Sequence, residues 1–298
     1  MKKTKWIIGT LVLFCLFAVG VALALLSVAG EGKSGKIVSA FQQSGIGIIE
    51  VEGVIYSSEK IVKEITSFKN DNLVKALVLR INSPGGAVAP SQEIYSAIRN
   101  FQESGKSVVA SLGSVAASGG YYIAAAADTI MANPGTLTGS IGVIFEFPTA
   151  PDLMKKIGID MEVIKSGRYK DAGGFHRRIT PEEKKLFQVV IDDTWEQFVE
   201  AVAFGRAMQF DSVAQWADGR VMTGRQARGI GLIDLIGTYE DAKDLAREIA
   251  GLSDDAPEIK PKDFSDFGII DRLLRQPEEI LQLKNQLLFG HLSYLFKP

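Results

Sequence analysis

Ser118 stands in Gly113-Ser114-Val115-Ala116-Ala117-Ser118-Gly119-Gly120-Tyr121, enclosed by residues with little or no side chain. A nucleophilic oxygen needs such neighbours, because the atom it attacks must come within bonding distance. The segment follows an apolar run and opens an alanine-rich stretch, so the serine is expected where a strand gives way to a helix. Exposed backbone N–H groups at such a junction favour developing negative charge. The pattern approaches the Gly-x-Ser-x-Gly elbow but has Ala116 where the first glycine would stand. A serine there serves equally well as a plain helix cap. A second constellation, Arg80-Ile81-Asn82-Ser83-Pro84-Gly85-Gly86, ends a strand-like run in two adjacent glycines. Glycine permits a turn that aims an N–H into a cleft, as an oxyanion hole requires. An ordinary Pro-Gly turn has the same composition.

A serine hydroxyl needs a base. The chain has 2 histidines, His176 and His291, and only His176 falls in the stretch that reads as folded, among Arg177, Arg178 and glycines. Lysine is the other option. Lys170 lies in Lys165-Ser166-Gly167-Arg168-Tyr169-Lys170-Asp171-Ala172-Gly173-Gly174, a segment with little periodicity. To accept a proton the amine must be neutral, so desolvation must bring its pKa from about 10.4 toward 7–8. Lys165, Arg168, Arg177 and Arg178 also fit a solvated basic loop.

The elements that must position these groups are legible in the hydrophobic pattern. Ile46 to Val51, Ala76 to Ile81 and Ser107 to Leu112 are short apolar runs that predict strands. Between them, Ile61, Ile65 and Phe68, then Ile94, Ala97, Ile98 and Phe101, recur at helical spacing. Ser118 to Ala127 predicts a further helix. This alternation points to an α/β fold with largely parallel strands. Thr180-Pro181-Glu182-Glu183 is a capping box with proline at the first helical position, followed by the apolar face Phe187, Ile191, Trp195, Phe198 and Val202. That helix is expected to pack on the sheet or against a neighbouring subunit. Thr223-Gly224-Arg225-Gln226 repeats the capping logic.

The N-terminus sets the compartment. Lys2, Lys3 and Lys5 precede an uncharged stretch from Trp6 to Gly30, longer than the roughly 20 residues that span a bilayer at about 1.5 Å each. Residues 1–30 therefore read as a single-pass membrane anchor with its lysines on the cytoplasmic side and the rest exported. A cleaved signal peptide ending at Ser27-Val28-Ala29 gives the same compartment. Gly32-Lys33-Ser34 lacks the upstream glycine of a phosphate-binding loop and falls in a polar linker, 31–44. Residues 45–251 form the domain, and 252–298 an acidic linker with an apolar tail whose docking partner stays open. The net charge of −2 offers no basic surface for nucleic acid. The lone Cys15 and scarce histidines leave no thiolate or imidazole metal site.

Arg80 to Gly86, Ser114 to Tyr122, Gly139-Ser140-Ile141-Gly142-Val143, Ser166 to Asp171 and Asp218 to Gly224 followed by Gly231-Leu232-Ile233-Asp234 together resemble the signal peptide peptidase A family in its short, single-copy form. The resemblance covers about residues 45–251. It implies a Clp-protease/crotonase-like ββα superhelix and a serine endopeptidase with a Ser/Lys dyad, without metal or cofactor. By that resemblance Ser118 is the nucleophile, Lys170 the general base, Ser140 the serine that hydrogen-bonds the lysine, and Gly85 and Gly119 the oxyanion donors. It also implies a homo-oligomer in which Ser118 and Lys170 come from adjacent subunits, an inner-membrane location, and cleaved signal peptides and other hydrophobic peptides as substrates. Gly173-Gly174-Phe175-His176 departs from the expected Ser-Pro-Phe-like run but leaves Lys170 in place. A crotonase-type acyl-CoA enzyme, disfavoured by export, and a non-catalytic membrane scaffold are the other function classes.

Overall fold

A computed structural model describes residues 43–261 and 292–296. The chain runs through β1 (Gly45–Glu52), α1 (Glu59–Asn70), β2 (Val74–Ser83), β3 (Gly85–Ala87), α2 (Val88–Gln102), β4 (Ser107–Ala117) and α3 (Gly119–Ala124). Short strands β5 (Thr129–Ala132), β6 (Leu137–Gly139) and β7 (Ile144–Phe145) lead to α4 (Pro151–Lys156) and the long α5 (Pro181–Gly205). Then come α6 (Phe210–Ala214), β8 (Val221–Thr223), α7 (Gly224–Gly229), β9 (Leu235–Ile236), α8 (Tyr239–Ile249), β10 (Glu258–Ile259) and β11 (Leu292–Leu295).

The larger sheet has the order β10-β1-β2-β4-β5-β9, parallel along this path, with β6 added to β4 and β8 antiparallel to β6. This mixed sheet fits the Clp-protease-like α/β fold. Ala76, Leu77, Val78 and Leu79 of β2 are all inaccessible, the unbroken apolar run of a strand covered on both faces. The two-residue period sends Leu77, Leu79 and Ile81 to the side of Ile65, Phe68, Ile94, Ile98 and Phe101 from α1 and α2. Ala76 and Val78 go to the other side, with Ala242 and Ala246 of α8. Small residues on α8 let its backbone approach the sheet closely.

Each strand and helix expected up to Leu112 is present, and the Thr180 and Thr223 capping boxes both form. The helix expected over Ser118–Ala127 is confined to Gly119–Ala124. The Ala126 and Ala127 N–H groups bond carbonyls three residues back, and Asp128 is then drawn onto Val108. Sheet contacts thus stop a segment that alanine content alone would continue. α5 buries Glu183 in its first turn and Thr194, Phe198, Val199 and Val202 in its second half, while Leu186, Val189 and Val190 between them are exposed.

The reading of 252–298 as linker and tail is amended in two places. Glu258–Ile259 pairs in parallel with β1 at the sheet edge, a strand too short to register as periodicity. Residues 292–295 form a strand docked on the domain, where ladder partners override helical spacing. The anchor expected over residues 1–30 lies outside the described residues, as does most of the 31–44 linker. Among the described residues no helix is long and apolar enough to cross a membrane.

Candidate active site

The site gathers at the C-terminal ends of β2 and β4, where open parallel sheets present their ligands. β4 changes partner along its length. Val109–Leu112 pairs with β5 and Val115–Ala117 with β6, which carries the strand beyond the sheet body before it delivers Ser118. Ser118 adopts φ 54 and ψ −121, a positive φ that costs a non-glycine residue on the order of 1–3 kcal/mol and persists only where the surroundings hold it. The holding bonds are its N–H to the Gly139 carbonyl and its carbonyl to the Tyr122 N–H, both 2.8 Å. Its hydroxyl makes no capping hydrogen bond, so the plain-cap alternative is not the one adopted. The residue is 1% exposed.

Gly85 follows β2 with φ 100. A Cβ there would meet the Tyr294 carbonyl oxygen at 2.1 Å and the Gly119 nitrogen at 2.6 Å, so only glycine fits. Gly85 and Gly119 therefore face each other beside Ser118. The Gly85 N–H donates to Ser83 Oγ at 3.1 Å within the turn. Ser140 also has a positive φ, 51, is largely buried, and donates its N–H to the Arg220 carbonyl at 2.8 Å. Ser118 and Ser140 share a cleft of about 730 Å³ whose walls include Glu146, Ile191, Trp195 and Phe296.

Lys170 is elsewhere in the chain's own fold. It is exposed and does not line this cleft. Its neighbour Asp171 is firmly held. Arg177 bonds the Asp171 carboxylate and also Glu183 in the first turn of α5, and Lys165 pairs with Asp171 as well. The Arg177 guanidinium, with Lys165, holds the Asp171 carboxyl well below its usual range, and Arg177 brings Glu183 down to about 2. His176, the alternative base, has Nε2 3.9 Å from Asp171 Oδ2 and does not line the cleft either. One chain thus assembles Ser118, Ser140, Gly85 and Gly119, and neither candidate base.

The sequence reading missed two walls. Gln188, Ile191, Asp192 and Trp195 of α5 line the cleft, and their spacing of three, four and seven residues was the available signal. Leu295 and Phe296 also line it, from a segment with no local pattern that ties it to Ser118.

Residues 100–253 match the family described as peptidase family S49, and residues 29–136 match Clp protease. A protein named as a protease in Synechocystis sp. is 46% identical over 215 residues, covering 72% of this chain and 77% of that one. The chain belongs to peptidase family S49. Other relatives of this S49 chain include the chloroplastic serine protease SPPA of Arabidopsis thaliana, 37% identical over 207 residues, 69% of this chain and 30% of that one. A protein of Enterococcus faecium named as a signal peptide peptidase SppA is 34% identical over 229 residues, 75% of this chain and 67% of that one. The S49 chain is thus a serine peptidase, about as long as some relatives and much shorter than the chloroplast protein.

Proposed function

We propose that this serine peptidase cleaves peptides through an acyl-enzyme formed on Ser118, with Lys170 of an adjacent copy as general base. The observation that carries the reading is the backbone of Ser118: a strained, buried serine whose hydroxyl is not spent on capping, set in a cleft against two mutually facing glycines. Strain of this kind persists at nucleophile elbows because it presents the oxygen to substrate.

Neutral Lys170 takes the Ser118 proton as the oxygen attacks the scissile carbonyl. The carbonyl oxygen becomes an oxyanion held by the Gly119 N–H and by that of Gly85 once it turns from Ser83. Lys170 then protonates the leaving amine and is neutral again; it deprotonates the water that attacks the acyl-enzyme and returns that proton to the Ser118 oxygen as the acid leaves. Ser140, in the same cleft, orients the lysine. The exposure of Lys170 supports its delivery to another copy. So does the run of exposed apolar residues Ile157, Ile159, Met161, Val163 and Ile164 before it, with Leu186, Val189 and Val190 on α5. Burial in that interface would supply the desolvation the base requires.

The uncharged stretch from Trp6 to Gly30 supports anchoring in the cytoplasmic membrane with the peptidase domain outside, beside the bilayer where cleaved signal peptides and other hydrophobic segments become available. The decisive experiment mixes two inactive proteins. Ser118→Ala and Lys170→Ala should each lose peptide hydrolysis, and mixed assemblies should regain part of it, because some interfaces then pair an intact serine with an intact lysine. Full activity in Lys170→Ala would remove the lysine from the mechanism. Assemblies of the two that stay inactive after subunit exchange would place both groups in one chain.

A further inference from the structure

Ser83 closes β2 and is inaccessible to solvent. Between the pairs Ile81–Leu112 and Ser83–Ala116, β2 advances two residues while β4 advances four. A Cβ on Gly120 would meet the Ser83 carbonyl oxygen at 2.7 Å, so the end of β2 lies directly against the turn after Ser118. Ser83 Oγ accepts the Gly85 N–H at 3.1 Å, closing a small turn with a side-chain oxygen. That N–H is the one the mechanism above sends to the oxyanion. It carries a single proton, and in the resting chain the proton is spent on Ser83.

The peptide group that carries this N–H has little freedom. Its carbonyl, on Pro84, accepts the Phe296 N–H at 2.7 Å, and the next carbonyl, on Gly85, accepts the Ile55 N–H at 2.9 Å. The Ile55 carbonyl takes the Ala87 N–H at 2.8 Å in return. A half-turn of the peptide would break these bonds, so the donor leaves Ser83 by a tilt. Gly85 is buried, and an N–H left unpaired there costs free energy. Ser83 removes that cost while no substrate is present. Charge then decides between acceptors. A serine oxygen and an uncharged amide carbonyl are both neutral partners, so exchanging one for the other gains little. An oxyanion draws the same donor about twice as strongly.

We infer that Ser83 is a positioning residue that holds the second oxyanion donor in reserve: its hydroxyl keeps the Gly85 N–H until negative charge develops on the substrate and takes it back as the product leaves. The inference rests on Ser118 being the nucleophile and Gly85 a donor. Without the Ser83 hydroxyl, the N–H would bind the ground-state carbonyl as well as the transition state, which lowers KM without raising kcat.

The test compares the full-length parent with Ser83→Ala, using a fluorogenic peptide, the peptide aldehyde of the same sequence, and a fluorophosphonate that labels Ser118. In Ser83→Ala no bond has to be surrendered to fill the oxyanion hole. KM and the aldehyde inhibition constant should each fall about 5-fold, the factor of one ordinary hydrogen bond, with kcat within about twofold of the parent. A residue that only stabilised the turn would not tighten either ligand. If the alanine variant does not fold, Ser83→Cys takes its place, since its sulfur is a weak acceptor of similar placement, and the same shifts should appear at smaller size. Ser118 that is labelled, with no tightening of the aldehyde or with kcat reduced at unchanged KM, overturns the inference and leaves the nucleophile standing. Absence of labelling in the parent removes the nucleophile, and the inference with it.

Discussion

The surroundings of Ser118 and of Lys170 are built to different standards. Ser118 emerges from the longest strand of the larger sheet, fixed by main-chain bonds to Gly139 and Tyr122 and flanked by the inaccessible Ala116, Ala117 and Tyr121. Residues 157–170 are exposed, and their backbone bonds close only short turns, such as Lys170 N–H to the Gly167 carbonyl at 3.2 Å. A chain can complete by itself the half of a site that rests on sheet ends. The half that rides on a surface loop with unburied apolar side chains calls, in the mechanism proposed above, for a second copy.

The sharpest way to break this comparison is to remove one group from each region. Ser118→Ala and Lys170→Ala are each expected to lower peptide hydrolysis by about 10⁴-fold or more. The lysine variant should keep the stability of the single chain to within about 0.5 kcal/mol, since the side chain is exposed there. A Lys170→Ala protein that unfolded would show the loop to be part of the core.

Gly85→Ala should be next in size. Its methyl has no room beside the Tyr294 carbonyl and the Gly119 nitrogen, so kcat is expected to fall by about 10²–10³-fold, with a stability loss of about 1–3 kcal/mol. Stopped-assay kinetics and thermal melts measure the two effects separately.

Arg177→Met probes what holds the lysine segment in place. Activity should fall by about tenfold, as expected when a group that acts through another is loosened, while the fold persists. The pH dependence follows from the carboxylates that Arg177 holds below their usual range. Glu183, ordinarily near 4.5, titrates at about 2 in the folded chain. The stability it contributes is therefore complete above about pH 4.5 and is lost as pH falls toward 2, with Asp171 acting in the same direction. The melting-temperature gap between parent and variant should be constant near neutrality and close through that acid window. A gap that widened on acidification would reverse the sign.

Smallest of all, Thr180→Ala should cost about 1 kcal/mol of stability through loss of the helix cap. It should leave hydrolysis within about twofold, a helix-cap loss without change at the site.

Much of the Ser118 side of the cleft could be read from residue order, because its determinants are local. Apolar runs gave β1, β2 and β4, and the small residues around Ser118 marked the place where a backbone could bend sharply. What escaped was set by distant partners. The positive φ of Ser140 depends on the Arg220 carbonyl, eighty positions further on. The α5 face that walls the cleft has the same spacing as a core face, yet Gln188, Ile191, Asp192 and Trp195 look onto the cleft. β11 has four residues and draws its identity from the slot it fills. The position of a base relative to Ser118 is a property of more than one polypeptide in the proposed assembly, which no linear pattern encodes.

The main-chain link from Ser118 to Gly139, and from Ser140 onward to Arg220, has a practical corollary for inhibition. If Ser118 is the nucleophile proposed above, a compound that wedges the turn at Asp218–Arg220 would pull on its hydroxyl through peptide groups alone, without needing an electrophile to reach it. Resistance to such a compound would be hard to acquire at those links, since amide N–H and carbonyl groups are retained when a side chain is exchanged.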